Sequence, residues 1–404
     1  MDMQPQGETG EETAGETGTA GDPIARARAL IPLLQAAAPR IDAARELTPD
    51  VLDGMFSVGM FRLLVPRSCG GAELDPASFV QCVEAIAMGD ASAAWCMNQG
   101  ATSMMAAAYM PLDAARGAFG GERDVLAWGY GPNGRATRVE GGWRVTGKWS
   151  FASGSRHSTW LGAHCLCVDP DGSPMRGPHG RNWERTALFR REKAEIVDDW
   201  FVMGLRGTGS DTYSVRDLVV DDAHVITRDY PGERREPGPL YRFQQMQLYA
   251  AGFAFVGLGL ARQVLDTFIA MAGNKAPAQS QTLLRDNAAV QHIVGYSDAR
   301  VKAARGGLLR LLEHTYAALG TGVELTLDQR IDIRQASTYA IHEAREVVSA
   351  IYHEAGSTAI FDSQPFERRL RDVNAVSQQL QGRRAHFETV GQHLMGLDIN
   401  ARNV

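Results

Sequence analysis

The chain has 404 residues, enough for two or three domains, with an apolar share ordinary for a folded globular protein. Its net charge of -6 is mild and spread along the sequence, which leaves no basic footprint for nucleic acid. No apolar run is read as approaching the roughly 20 residues of a membrane span, no charged-then-apolar leader pattern opens the chain, and the five cysteines show no zinc spacing, so reduced buried thiols in a cytoplasmic protein are expected.

Residues 1–22 repeat Gly-Glu-Thr with almost no apolar side chains. Such a tail buries too little surface to offset its ordering entropy, and disorder is expected. Helical patterning then runs through residues 23–124. Ile24, Ala27, Leu30, Ile31 and Leu34 share one face. Thr48-Pro49-Asp50 and Asp75-Pro76 are helix starts. Phe79, Cys82, Val83 and Ile86 recur at helical spacing, and Ala91 to Met105 is small and apolar on nearly all sides, as in a buried helix.

Residues 125–228 alternate instead. Ala136 to Glu140 and Trp143 to Thr146 flank Gly141-Gly142, which reads as a hairpin. Trp160 to Val168, Thr186 to Phe189 and Asp211 to Val220 read as further strands, and Asp169 to Arg181 as a surface loop. No G-x-G-x-x-G opens a helix after a strand, so no Rossmann fingerprint is present.

A polar linker, Tyr230 to Pro239, leads into residues 240–404. Tyr249 to Ala261, Val264 to Met271, Val290 to Leu312, Thr326 to Gly356 and Asp372 to Gly396 are helical, and four long antiparallel helices in a bundle are predicted. Exposed apolar faces on such a bundle are expected to bury in a homo-oligomer. His157 and His164 are read as structural, and His386 and His393 as helix-surface or subunit-contact residues. His342-Glu343 and His353-Glu354 lack the spacing of a di-metal bundle, and no metal site is predicted. The predicted class is α+β, mainly α: helices, a small β-barrel domain, then the bundle.

Three stretches carry a family pattern. They are Gly147-Lys148-Trp149-Ser150-Phe151-Ala152-Ser153-Gly154, Gly204-Leu205-Arg206-Gly207-Thr208-Gly209-Ser210, and a late set of Ala355-Gly356-Ser357, Pro365, Arg371-Asp372 and Gly391 to Leu397. In this order, over about residues 24–398, the chain resembles the acyl-CoA dehydrogenase superfamily. Within it, the chain is most similar to the two-component monooxygenases that use reduced flavin. The resemblance implies FADH2 or FMNH2 as cofactor, O2 as co-substrate, a separate NAD(P)H:flavin reductase, a tetramer, and hydroxylation of a small aromatic, indole-like or amine substrate through a flavin C4a-hydroperoxide. It also implies ring contacts from Trp128, Tyr130, Phe151 and Ser153, with the Ser153 hydroxyl as a donor near N5. Arg206 then offers a fixed positive charge, and Gln291 and Arg285 match positions that reach a neighbouring subunit's cofactor.

An acyl-CoA dehydrogenase needs a carboxylate base, commonly shortly after an Arg-Asp pair. Here Arg371-Asp372 is followed by Gln378-Gln379-Leu380-Gln381, with no carboxylate. Related monooxygenases carry histidines in this segment, where this chain has Asn374 and Gln379. No histidine closely follows Ala91-Ser92-Ala93-Ala94-Trp95. Ser153, Gln379 and Asn374 are the catalytic candidates. A thioester dehydrogenase or oxidase with a displaced base, and a non-catalytic assembly protein, stand as alternatives.

Overall fold

The computed structural model describes residues 21–177, 180–228, 230–277 and 280–401. The disorder reading falls almost entirely on residues 1–20, outside that set. Helices open the fold: α1 (Pro23–Ala29), α2 (Ile31–Ala44), α3 (Pro49–Ser57), α4 (Pro76–Gly89), α5 (Ala91–Ser103) and α6 (Leu112–Phe119). The predicted starts hold. Pro49 and Pro76 occupy first turns, and the Asp75 carboxylate accepts from Ser78 N at 2.9 Å. α5 is buried on every side except at Gln99. It starts directly at α4's end, where Asp90 caps it through Ala93 N at 2.9 Å.

The strands are β1 (Leu126–Trp128), β2 (Gly134–Val139), β3 (Gly142–Ala152), β4 (Trp160–Val168), β5 (Glu184–Arg190), β6 (Glu195–Val197), β7 (Asp211–Asp221) and β8 (Val225–Ile226). They form one sheet in the order β6-β7-β3-β2-β4-β5-β8, with β1 alongside β4. β2 and β3 are the predicted hairpin, closing at Val139 opposite Gly142. The sheet wraps its own apolar core. Trp149 is fully buried there, stacks on Tyr213 at 5.4 Å, and donates from Nε1 to the His164 carbonyl at 2.9 Å. β1, β6 and β8 are too short to carry a legible alternation.

The bundle comprises α7 (Gln245–Ala272), α8 (Ala288–Leu319), α9 (Leu327–Ala355), α10 (Phe366–Gln378) and α11 (Ala385–Leu394). The two predicted segments 249–261 and 264–271 are one helix, α7. By length and composition α7 is apolar enough to cross a membrane, contrary to the sequence reading. It is instead the central helix of the protein, with 94% of its apolar window buried. α7 packs on α4, α5 and α9. Thr326 and Gln329 close a capping box at the start of α9.

The last predicted helix is broken. Gln379 is extended at φ -77°, ψ 169°, and a 3-10 turn at Leu380–Gly382 separates α10 from α11. Side-chain bonds stabilise the break. Gln379 accepts from Gln381 N at 2.7 Å, Arg334 of α9 bonds Gln381, and His342 bonds the Gly382 carbonyl at 2.9 Å. His386 is buried and bonds the Leu380 carbonyl at 2.8 Å, which corrects its surface assignment.

One loop joins all three parts. Gly204–Ser210 runs between α2, α5 and α10. A Cβ at Gly204 would sit inside contact distance of the Arg371 carbonyl and 2.9 Å from Asp372 N, and one at Gly207 would meet Ile41 of α2 and lie 2.9 Å from the Ser92 Cβ of α5. Neither position has room for a side chain.

Candidate active site

At the end of β3 the pairing slips. Trp149 faces Tyr213 and Ala152 faces Asp211, so three steps on β3 match two on β7. The extra residue makes a bulge, which bends the strand and re-aims its side chains. Phe151 sits in the bulge at φ +64°, the left-handed region that bulky residues rarely adopt, and is 64% exposed. Tyr130, 60% exposed, is held beside this segment by its N–H to the Ser150 carbonyl at 3.1 Å. A bulky residue held at positive φ is a backbone outlier of the kind that clusters at ligand sites.

Two residues on, the chain turns. Ser153 is buried there, and Gly154 takes φ +80° and donates from its N–H to the Thr208 carbonyl at 2.8 Å. Ser155 Oγ donates to the Gly209 carbonyl at 2.9 Å. The two glycine-containing motifs read from the sequence therefore interlock. Ser153 Oγ accepts from Trp95 Nε1 at 2.9 Å and lies 2.8 Å from Ser210 Oγ. Trp95, Thr208 and Ser210 had no role in the sequence reading. The available signal was that Trp95 closes the Ser-x-Ala-Trp stretch, and that Thr208 and Ser210 alternate around Gly209.

Behind Trp95 lies an aromatic and polar seam between α5 and α7. Trp95 stacks on Phe253 at 3.8 Å, and Phe253 stacks on Tyr249 at 5.9 Å. The Tyr249 hydroxyl bonds Ser103 at 2.8 Å and accepts from Gln99 at 3.3 Å. Burial pushes the Tyr249 phenol well above its ordinary range. Asn98, one turn after Trp95, is fully buried with neither amide atom bonded, and the buried Nε2 of Gln379 is likewise unpartnered. Such groups in an interior are costly unless something else bonds them.

The two histidines of the sheet region are held neutral by burial. Burial pushes His157 down to about 4 and His164 well below the ordinary imidazole range, and His164 Nδ1 lies 2.8 Å from Thr186 Oγ1. Their structural reading stands.

The models for the acyl-CoA dehydrogenase N-terminal domain and C-terminal domain match residues 30–112 and 251–381. Indole-3-acetate monooxygenase of Pseudomonas putida is 30% identical over 338 residues, covering 83% of this chain and 84% of that one. The chain belongs to the flavin-dependent monooxygenases of the acyl-CoA dehydrogenase superfamily. The flavin-dependent monooxygenase oxygenase subunit HsaA of Rhodococcus jostii is 27% identical over 360 residues, covering 87% of this chain and 92% of that one. The crystal structure of 3-HSA hydroxylase from Rhodococcus sp. RHA1 superposes with a TM-score of 0.86 at 25% identity, over 94% of this chain and 98% of that one.

Within this monooxygenase fold the candidate residues separate. Tyr130, Phe151 and Ser153 share the bulged end of β3. Trp128 does not join their exposed surface: it is buried at the end of β1 with its ring 4.9 Å from His164. Arg206 donates to the Asp42 carbonyl at 3.0 Å and lies 3.7 Å from the Asp42 carboxylate, which straps the loop to α2. Asn374 donates to Leu370 O at 2.8 Å within α10. Arg285 and Gln291 stand exposed at the start of α8, where Gln291 Nε2 donates to Arg285 O at 2.9 Å.

Phe151 gives a prediction. Phe151→Gly is expected to leave stability unchanged or raise it by about 1 kcal/mol, because glycine adopts positive φ freely and little apolar burial is lost. The same change is expected to weaken flavin binding. Thermal melts and flavin titration check both, and a loss of stability above about 1 kcal/mol would assign the ring a packing role instead.

Proposed function

We propose that this protein is the oxygenase component of a two-component system, hydroxylating a small aromatic or indole-like substrate with O2 and a reduced flavin, FADH2 or FMNH2, delivered by a separate NAD(P)H:flavin reductase. The supporting observation is the bulged β3 end, where exposed Tyr130 and Phe151 flank the buried Ser153 turn. A planar tricyclic ring needs flat apolar cover and one hydrogen-bonding group at its edge, and these residues are of that kind. Reduced flavin, when bound, supplies the electrons that activate O2.

The chain's own residues do the rest. Phe151 and Tyr130 cover the ring. Ser153 meets its polar edge. The Trp95–Phe253–Tyr249 stack closes the interior side against water, which protects a reactive oxygen species from premature release. Asn98 and Gln379 offer amide groups free to orient a polar substrate group, and amides do not take up protons, which suits a substrate that is itself an electron-rich nucleophile. A homotetramer is proposed from the exposed apolar residues of the bundle, among them Tyr296, Tyr339, Phe361, Leu394 and Met395. A cytoplasmic setting, where reductase and reduced cysteines coexist, completes the reading.

The test supplies reduced FMN or FAD from a flavin reductase and NADH in air, with indole or indole-3-acetate as first substrates. Oxygenated product is expected, with little hydrogen peroxide. Peroxide alone across a panel of indoles, phenols and amines sinks the reading, as does bleaching of bound oxidised flavin by an acyl-CoA.

A further inference from the structure

Four hydrogen bonds run in line from α5 to the Gly204–Ser210 loop. They join Trp95 Nε1 to Ser153 Oγ, Ser153 Oγ to Ser210 Oγ, Ser210 Oγ to Thr208 Oγ1, and Thr208 Oγ1 to the Leu205 carbonyl, at 2.9, 2.8, 2.7 and 2.9 Å. The two ends have fixed polarity. An indole N–H only donates, and a carbonyl oxygen only accepts. The Leu205 carbonyl is further committed as acceptor by Trp200 Nε1 and Thr208 N, each at 3.2 Å. Four protons serve four bonds: one from the indole and one from each of three hydroxyls. One arrangement satisfies them all, with every proton directed from Trp95 toward Leu205. Ser153's own proton then lies on Ser210, and Ser153 retains a lone pair. Trp95, Ser153, Thr208 and Ser210 are all buried, so reversing a bond would leave a buried polar atom unpaired rather than exchange it for water.

We propose that this one-way chain makes Ser153 an acceptor toward the flavin ring, so that Trp95, Thr208 and Ser210 are positioning residues that set which oxidation state of flavin the site holds. The proposal rests on the reading of the Ser153 turn as the flavin site. Reduced flavin carries N–H at N5, whereas oxidised flavin carries a lone pair there. A fixed acceptor bonds the first and opposes the second, so the discrimination comes as much from repulsion as from attraction. This reverses the donor role expected of Ser153 from the sequence. It also gives Thr208 and Ser210 a function at one remove from the ring.

Anaerobic titration with FMN and FAD, each oxidised and dithionite-reduced, tests the proposal. The wild type is expected to bind the reduced forms at least about tenfold more tightly, the size of one misdirected buried hydrogen bond. Ser210→Ala and the near-isosteric Thr208→Val release a Ser153 proton to turn toward the ring. Oxidised flavin is then expected to bind more tightly, the affinity ratio to fall about tenfold, and the two-electron midpoint potential of bound flavin to drop by about 30 mV. Ser153→Ala is expected to weaken the reduced form alone, and Ser210→Thr, which keeps the hydroxyl, to retain the wild-type ratio. A purely structural role weakens both forms together. An unmoved ratio in Ser210→Ala and Thr208→Val overturns the proposal, as does equal wild-type affinity for both oxidation states. Failure of the wild type to bind either form overturns the underlying flavin-site reading instead.

Discussion

Gly204→Ala is expected to destabilise the protein by about 3 kcal/mol, the upper end of what overpacking costs, and to lower the thermal midpoint by on the order of 5 °C. The added methyl would meet the Arg371 carbonyl carbon and oxygen and Asp372 N, which are main-chain atoms of α10. No rotamer change relieves that clash, so the loop or α10 must move. Movement breaks the Leu205 N–H bond to Asp372 Oδ1, 2.7 Å, and the Arg371 contact with the Met203 carbonyl, 2.6 Å. By comparison, the methyl of Gly207→Ala meets mainly side-chain atoms of Ile41 and Ser92, and its cost is expected to be smaller. Paired denaturant titrations check the order. A Gly204→Ala protein as stable as wild type would mean the loop is not wedged.

The second large effect is set by pH at the same junction. Asp372 is buried against Asp90 of the α4–α5 corner and Arg369 of its own helix, and its carboxyl is pushed up to about 6 by desolvation first and then by Asp90. Arg369, which donates to the Gly89 carbonyl, and Arg368 oppose that shift, as does the Leu205 N–H bond. The folded state thus holds the proton more tightly than the unfolded chain, whose carboxyl titrates near the ordinary 3.8. The stabilisation is fully present below that value and is lost as pH rises from about 4 to about 6. A shift of this size corresponds to roughly 3 kcal/mol. Asp372→Asn keeps an oxygen for the Leu205 N–H and removes the titration. It is expected to match the wild type near pH 4 and to exceed its stability by up to about 3 kcal/mol at pH 8. A wild type that gains on the variant as pH rises would show the carboxylate to be well paired.

Much of this architecture is legible in the chain. Helix starts at Pro49 and Pro76, the Gly141-Gly142 hairpin and strand β4 follow from local chemistry that tertiary packing leaves alone. The family pattern placed Ser153 and the Gly204–Ser210 loop. The break at Gln379 was hidden because Gln378-Gln379-Leu380-Gln381 has good helix propensity, and only Gly382 and partners on α9 oppose it. Trp128 and Phe151 are both strand-end aromatics, and the bulge that exposes Phe151 depends on pairing with β7, which is distant along the chain. The hydroxyl chain was invisible for a similar reason. It joins Ser153 to Trp95 and Ser210, 58 and 57 positions apart, and the polarity of a hydroxyl depends on its neighbours, not on its own identity. The contact of Arg206 with Asp42 on α2 is invisible in the sequence because the two residues lie far apart along the chain.

Leu205 works from both sides of its backbone. Its N–H is anchored on α10 through Asp372, and its carbonyl terminates the hydroxyl chain that ends at Ser153. A chain whose bundle has not yet docked lacks the α10 anchor, and only the loop's own bonds from Trp200 and Thr208 then hold that carbonyl. On the proposal above, discrimination between the two forms of the ring is expected to sharpen once α10 seats against the loop.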